Sequence, residues 1–434
     1  MEANKRQRRL VPGIDVFGRT GPRPPYRTRT FDQRVAATGF HFNRISRSRN
    51  SNRTFDPRAA PGYYSLVMRG KLVLACTRSM EDYLERVAYH LKTFPEFHAT
   101  VDAENFIGKL RSQKFADGEM EVEVHTSLRG KDVFLLGTAA RNAAGLPVSE
   151  AKMELYHSID ALRRAQAGRI TLVEPFCSCA RSDRTTRRNS VGFWMHYKTL
   201  AGLGLDHMVT YQLHSDKSRT VVDPNVFSID DIPASGLLEA YISDHFIKSR
   251  DFLEHHVRDG WLFCSVDAGG ENVARRYARA FGAELVIAHK SRDYKKANTV
   301  DRINILTDSP IEGKEVWVVD DMIDTGGSVY ALVRELKDRG VKQVNVAAIH
   351  PVFSGPAVER LQQLHEEQLL DKIVVADTVS CTDELREQLP FLHVVSSARL
   401  TAEIIMRMHE EKSLAPFFEP FDAWEYLSAL KLFL

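Results

Sequence analysis

Nowhere in the 434 residues is there an apolar run near the ~20 residues that a membrane helix requires, so no membrane partner is expected. Cysteine is scarce: Cys76, Cys177, Cys179, Cys264 and Cys381 form an odd, scattered set of five, which is no disulfide framework. Lys and Arg dominate Met1–Leu10 and no apolar segment follows, so a secretory leader is not expected and a reducing cytoplasm is. Cys177 and Cys179 have no second Cys or His pair in the sequence to complete a metal site. They read as two small residues on one strand. Also absent is any Gly-x-x-x-x-Gly-Lys-Ser/Thr pattern, which excludes a P-loop nucleotide site.

What is present is the composition of a globular protein, 43% hydrophobic and 27% charged, long enough for two cores and a tail. The net charge of +2 hides an asymmetry. Residues 1–60 carry 14 Lys and Arg against 4 Asp and Glu, leaving 45 against 53 in the remainder. A basic head bearing Pro and Gly reads as a disordered extension; nucleic-acid binding by it is not expected.

Apolar order begins at Lys71–Cys76, followed by a helix pattern over Met80–Lys92 with Leu84, Val87, Ala88 and Leu91 on one face. Strand patterns then recur at Val133–Leu136, Ile170–Glu174, Met208–Leu213, Trp261–Val266, Leu285–Ala288, Glu315–Val319, Gln343–Ile349 and Lys372–Ala376. Helix patterns lie between them at Ala151–Ala167, Asn272–Phe281, Ser328–Arg339 and Pro356–Glu366. Such alternation predicts parallel sheets in two blocks dividing near Asp223–Ser235.

The most informative segment is Val316–Ser328. An apolar strand ends in Asp320 and Asp321, then a turn, Asp324-Thr325-Gly326-Gly327-Ser328, opens a helix. Backbone N–H groups and a helix N-terminus there suit an anion, and the glycines admit a phosphate without a Cβ clash. The two carboxylates are placed to accept hydrogen bonds from sugar hydroxyls. This segment resembles the phosphoribosyl-diphosphate (PRPP) binding loop of the type I phosphoribosyltransferase fold.

Four further segments resemble PRPP synthetases, a likeness covering about residues 71–418. Phe115-Ala-Asp117-Gly-Glu119 resembles a hairpin whose ring and acids hold adenine in a neighbouring subunit's site. Ala180-Arg181-Ser182-Asp183-Arg184 resembles a segment whose arginines flank the ATP phosphates, with Ser182 in place of Gln. His214, in Gln212-Leu-His-Ser215, resembles the family's magnesium-binding His, with Gln212 and Ser215 in place of Asp and Ala. Ser265-Val-Asp267-Ala-Gly-Gly resembles the motif whose Asp shares that metal. Downstream, Lys290-Ser-Arg292 resembles the base of a catalytic flexible loop, and residues 293–298 would be its mobile arm. Ser354-Gly-Pro, in a run matching the family closely, is expected to support the substrate loops.

The resemblance implies an α/β protein of two tandem phosphoribosyltransferase-like domains, parallel sheets flanked by helices. Residues 1–64 would be the extension, 65–223 the ATP-side domain and 224–405 the ribose-phosphate-side domain. Residues 406–434 would form a helical segment packing back on the first domain, with Trp424, Tyr426, Leu427 and Leu430 as its apolar residues. The implied reaction is Mg²⁺-dependent transfer of the diphosphoryl group of ATP to the 1-hydroxyl of ribose 5-phosphate. Lys290 and Arg292 would be catalytic, and the implied assembly is a homo-oligomer built on dimers, a hexamer included. Alternatives are a non-catalytic regulatory subunit of such an enzyme, or a phosphoribosyltransferase joining PRPP to a base. Ser127 and Arg129, in Ser127-Leu-Arg-Gly130, match one side of an allosteric anion site in the family. Its other side is a Ser-x-Ser pair, which here reads Ser413-Leu-Ala415.

Overall fold

The structure, a computed structural model, describes residues 69–185, 188–292, 300–307 and 309–429; the side chains of residues 216, 221, 290–292 and 300–302 are outside the description. The basic head, the arm at 293–298 and Leu430 also lie outside the described residues.

The first sheet contains β1 (Leu72–Cys76), β4 (Asp132–Leu136), β5 (Arg169–Val173), β6 (His207–Tyr211) and β7 (Ser228–Ile232), all parallel and in that spatial order. Between β1 and β4 the chain forms an antiparallel hairpin, β2 (Leu110–Lys114) and β3 (Met120–Val124). Every residue of β4 and of β6 is buried, as expected of strands covered on both faces.

The second sheet is ordered β10-β9-β8-β11-β12-β13-β14. Its strands are β8 (Trp261–Ser265), β9 (Glu284–Arg292), β10 (Val300–Leu306), β11 (Glu315–Ile323), β12 (Gln343–Pro351), β13 (Lys372–Ala376) and β14 (Leu392–Val395). All pair in parallel except β10, which runs antiparallel to β9. The expected parallel sheets are found, with one antiparallel pair at this edge. Only residues 293–299 join β9 to β10, and a parallel return needs a crossover of about a dozen or more.

The helices that matter for the site are α1 (Glu81–Leu91), α2 (Val148–Arg164), α3 (Gly192–Gly202), α4 (Ser235–Phe246), α5 (Glu271–Phe281), α6 (Gly327–Asp338), α7 (Ala357–Glu366), α8 (Ala398–His409) and α9 (Ala423–Ala429). The buried face of α1 is Tyr83, Leu84, Val87, Ala88 and Leu91, the apolar stripe visible in the sequence with Tyr83 added.

The two sheets share one core. Leu72, Phe134 and Tyr211 of the first belong to the same buried cluster as Trp261, Trp317 and Ile349 of the second. Buried hydrogen bonds stitch the halves together. The Tyr83 hydroxyl lies 2.7 Å from both Ser397 Oγ and Thr401 Oγ1, and the Tyr211 hydroxyl also meets Thr401. His350 Nε2 donates to the Tyr211 carbonyl at 3.0 Å.

The chain's last part divides its contacts. His409 Nδ1 meets Asp132 Oδ2 at 2.9 Å on the first sheet, whereas α9 sends the Tyr426 hydroxyl to Asp244 of α4 at 3.0 Å. Ala423 and Leu427 are the buried side of α9. Cys177 and Cys179 fall beyond β5, in the turn that follows it, and not on a strand. All five cysteines are free thiols.

Candidate active site

β11 continues through Asp320 and Asp321 to Ile323, so both carboxylates stand on the strand itself. The chain then turns over Asp324–Gly326 into α6. Gly326 takes φ +68°, a left-handed conformation at the helix N-cap that a side chain would strain. Gly327 is close to Arg360, and a Cβ there would come within 3.2 Å of the Arg360 Nη1 atom. That guanidinium donates to the Thr325 carbonyl at 2.8 Å and holds the turn from outside. Arg360 belongs to no recognisable motif, and only its place on α7 reveals the role. Ser354 supports the same turn, its N–H donating to the Asp324 carbonyl at 2.9 Å.

His214 reaches this cradle from the other sheet. Its Nδ1 lies 2.7 Å from Asp321 Oδ2. That hydrogen bond, against the opposing effect of burial, raises the His214 pKa above its ordinary value. For Asp321, burial pushes upward, but the hydrogen bond and charge of His214 prevail and lower it. Asp320 is held well above the usual carboxylate range by burial and by the Asp321 carboxylate beside it. The turn carrying His214 is anchored behind: Leu213 N–H donates to Asp231 Oδ1 at 2.9 Å, and Gln212 adopts φ +42°. Asp267 closes the group from the turn after β8, where its Oδ1 accepts from Gly269 N at 2.8 Å and Gly270 N at 3.3 Å.

From the loop after β5, Arg181 crosses to form an ion pair with Asp324 of the cradle. Arg181, Arg184, His214, Asp267, Asp320, Asp321 and the whole turn Asp324–Ser328 line one cavity of about 530 Å³. His289, next to Lys290 on β9, lines it too, although nothing in the sequence marked it. Lys290 and Arg292 lie at the end of β9, and their side chains are outside the described residues.

Other expected residues stand apart. Ser182 is turned to α3, with its Oγ accepting from Gly192 N at 2.9 Å and its carbonyl from Phe193 N at 3.0 Å. Asp183 does not line the cavity, but its charge helps to raise the His214 pKa. Phe115, Asp117 and Glu119 form the tip of the β2–β3 hairpin, away from this chain's own cavity, with Phe115 48% exposed. Gly118 at φ +96° makes the turn, and Asp117 Oδ1 accepts from Glu119 N at 3.0 Å. The hairpin rests on α2 through Ser112 Oγ to Glu154 at 2.7 Å and Lys114 Nζ to Glu150 at 2.8 Å. Ser127 and Arg129 precede β4, at the end of the sheet opposite the cavity. Ser413 Oγ accepts from Ala415 N at 3.1 Å.

The donor set of the cavity suits a hard divalent cation: four carboxylates, from Asp267, Asp320, Asp321 and Asp324, and the imidazoles of His214 and His289. Asp321 takes His214 Nδ1, which leaves Nε2 as the nitrogen able to face a metal, the usual carboxylate–histidine arrangement.

Comparison with known proteins shows the family. A family model described as the N-terminal domain of ribose phosphate pyrophosphokinase matches residues 72–204, and a phosphoribosyl transferase domain model matches residues 246–380. A ribose-phosphate pyrophosphokinase of Streptococcus pyogenes is 31% identical over 314 residues, covering 72% of this chain and 90% of that protein. One from Enterococcus faecalis is 33% identical over 316 residues, covering 72% and 89%. Among solved structures, phosphoribosylpyrophosphate synthetase from Mycobacterium smegmatis superposes with a TM-score of 0.65 at 29% identity, covering 79% of this chain and 99% of that one.

Proposed function

The chain belongs to the ribose-phosphate pyrophosphokinase family, and on that premise we propose that it transfers the diphosphoryl group of MgATP to the 1-hydroxyl of ribose 5-phosphate, releasing AMP. One observation carries the reading: a glycine cradle, paired carboxylates and two arginines, from both halves of the fold, open into the same cavity.

The residues divide the work by their chemistry. Backbone N–H groups at Asp324–Ser328, with the N-terminus of α6, would receive the 5-phosphate. Asp320 and Asp321 would accept hydrogen bonds from the ribose hydroxyls. Arg181 and Arg184 would hold ATP phosphates, which suits the forked guanidinium. Arg181 is paired with Asp324, so phosphate binding would exchange one anion for another at that side chain. Magnesium, when bound at His214 and Asp267, supplies positive charge to ATP oxygens. Lys290 and Arg292 would close over the transferred group and exclude water.

The exposed hairpin Phe115–Glu119 supports an oligomer in which each adenine lies under a neighbour's ring. Five free thiols and, among the described residues, no helix long and apolar enough to cross a membrane fit a cytoplasmic setting. The test is AMP and PRPP formation from ATP, ribose 5-phosphate and Mg²⁺. A folded protein that forms neither would refute the assignment and favour a non-catalytic partner of such an enzyme.

A further inference from the structure

Behind the cavity, where β5 passes into the segment bearing Arg181 and Arg184, three groups able to ligate a metal meet in the interior. Glu174 follows β5, Cys177 stands three residues on, and His196 comes from α3. One ligand atom of each lies within 4.8 Å of the other two, and all three residues are buried. His196 Nε2 and Glu174 Oε2 are hydrogen-bonded at 3.1 Å, and Cys177 Sγ lies 3.7 Å from the Tyr197 hydroxyl. Two such atoms, each about 2.0–2.1 Å from a tetrahedral zinc ion, would stand about 3.3 Å apart, so an ion could replace the shared proton with little movement of either side chain. The other carboxylate oxygen, Glu174 Oε1, is buried and has no hydrogen-bond partner. A buried acceptor left unmatched is costly, and a cation would satisfy it.

The surroundings agree. The Tyr156 hydroxyl lies 2.9 Å from His196 Nδ1, the kind of outer partner that fixes an imidazole with Nε2 toward a metal. A carboxylate and a thiolate balance a divalent charge, so a tetrahedral centre completed by a water molecule would be neutral in the protein interior. The mixture of sulfur, nitrogen and oxygen selects a borderline-soft ion, where the cleft's carboxylates select a hard one.

We propose that Glu174, Cys177 and His196 form a structural site for zinc, separate from the magnesium chemistry of the cleft. Cys179 is not in the group; its Sγ lies 2.8 Å from Lys152 Nζ. The ligands stand on both sides of residues 178–195, so the ion ties the two ends of the loop that presents Arg181 and Arg184. The geometry of those arginines would then depend on a metal that never touches substrate.

The experiment is metal analysis of the full-length protein purified without chelators or metal-affinity resin, then cobalt titration of stripped protein. The expected result is about one zinc per chain, with a thiolate-to-cobalt charge-transfer band on cobalt loading. Cys177→Ser should abolish that band, and His196→Val should lower zinc content about ten-fold or more. Cys381→Ser, in the other half of the fold, should keep both. Folded wild-type protein with no stoichiometric zinc and no cobalt–thiolate band overturns the proposal, as does zinc retained by His196→Val. Both readouts are independent of whether the cleft makes PRPP.

Discussion

Replacing Glu239 with Gln should stabilise the protein at alkaline pH and change little at acid pH. Glu239 lies on α4, fully buried, and neither carboxylate oxygen has a hydrogen-bond partner. Burial pushes its pKa from 4.5 up to about 7; the Arg276 guanidinium, 3.9 Å away on α5, offsets only part of that. A raised carboxylate pKa means that the folded state prefers the proton. The cost of ionising Glu239 is therefore absent below about pH 4.5, grows from there to pH 7, and is constant above. A carboxyl moved from 4.5 to about 7 costs roughly 3 kcal/mol to keep ionised in the folded state. Gln keeps the shape without the charge, and Arg276 retains the Glu419 carbonyl as a partner. Thermal midpoints of wild type and Glu239→Gln measured from pH 4.5 to 8 should diverge with rising pH, the variant reaching several degrees higher. Parallel curves, or a variant less stable at pH 8, would refute the reasoning.

Three further outcomes follow from the proposed chemistry. Lys290→Ala should lower turnover by about 100-fold or more with the thermal midpoint unchanged, because a cation directed at the transition state adds little to ground-state stability. Mixing Phe115→Ala with Lys290→Ala subunits under demonstrated exchange should restore about a quarter of wild-type activity, since one site in four would draw both intact groups. Zero activity would mean that the hairpin does not serve a neighbour. Phosphate titration at fixed MgATP in a non-phosphate buffer should show substantial activity before any phosphate is added. Ala415 has no hydroxyl to donate, a loss worth about ten-fold or more toward a charged ligand, and Ser413 Oγ is engaged by its own turn. Strong activation from near-zero basal activity would contradict this.

Local features of the site were legible in the sequence, and long-range ones were not. Asp320–Ser328 is one contiguous strand–turn–helix, so its carboxylates, glycines and helix N-terminus could be read together. The contact between His214 and Asp321 joins residues 107 apart, and spacing alone says nothing about it. His196 escaped notice because it is buried on α3, a helix whose apolar residues gave no clear stripe. β7 escaped because Ser-Ile-Asp-Asp-Ile carries its acids on an edge strand. The antiparallel β10 depended on a linker length that only mattered once β9 was known to reach Arg292. Ser182 shows the opposite limit: its place in a motif suggested a ligand contact, whereas its hydroxyl meets the start of α3.

The hydrogen bond from Tyr83 on α1 to Thr401 on α8 has a consequence for biogenesis. The two residues are 318 positions apart, and a ribosome adding about 5–20 residues per second separates their appearance by roughly 15–60 s. Throughout that interval the apolar side of α1 has emerged without the helix that covers it. The nascent first half must therefore wait, partly uncovered, for the last tenth of the chain. Holding by a chaperone during translation, and aggregation of products truncated before α8, are the expected burdens of a core sealed from its far end.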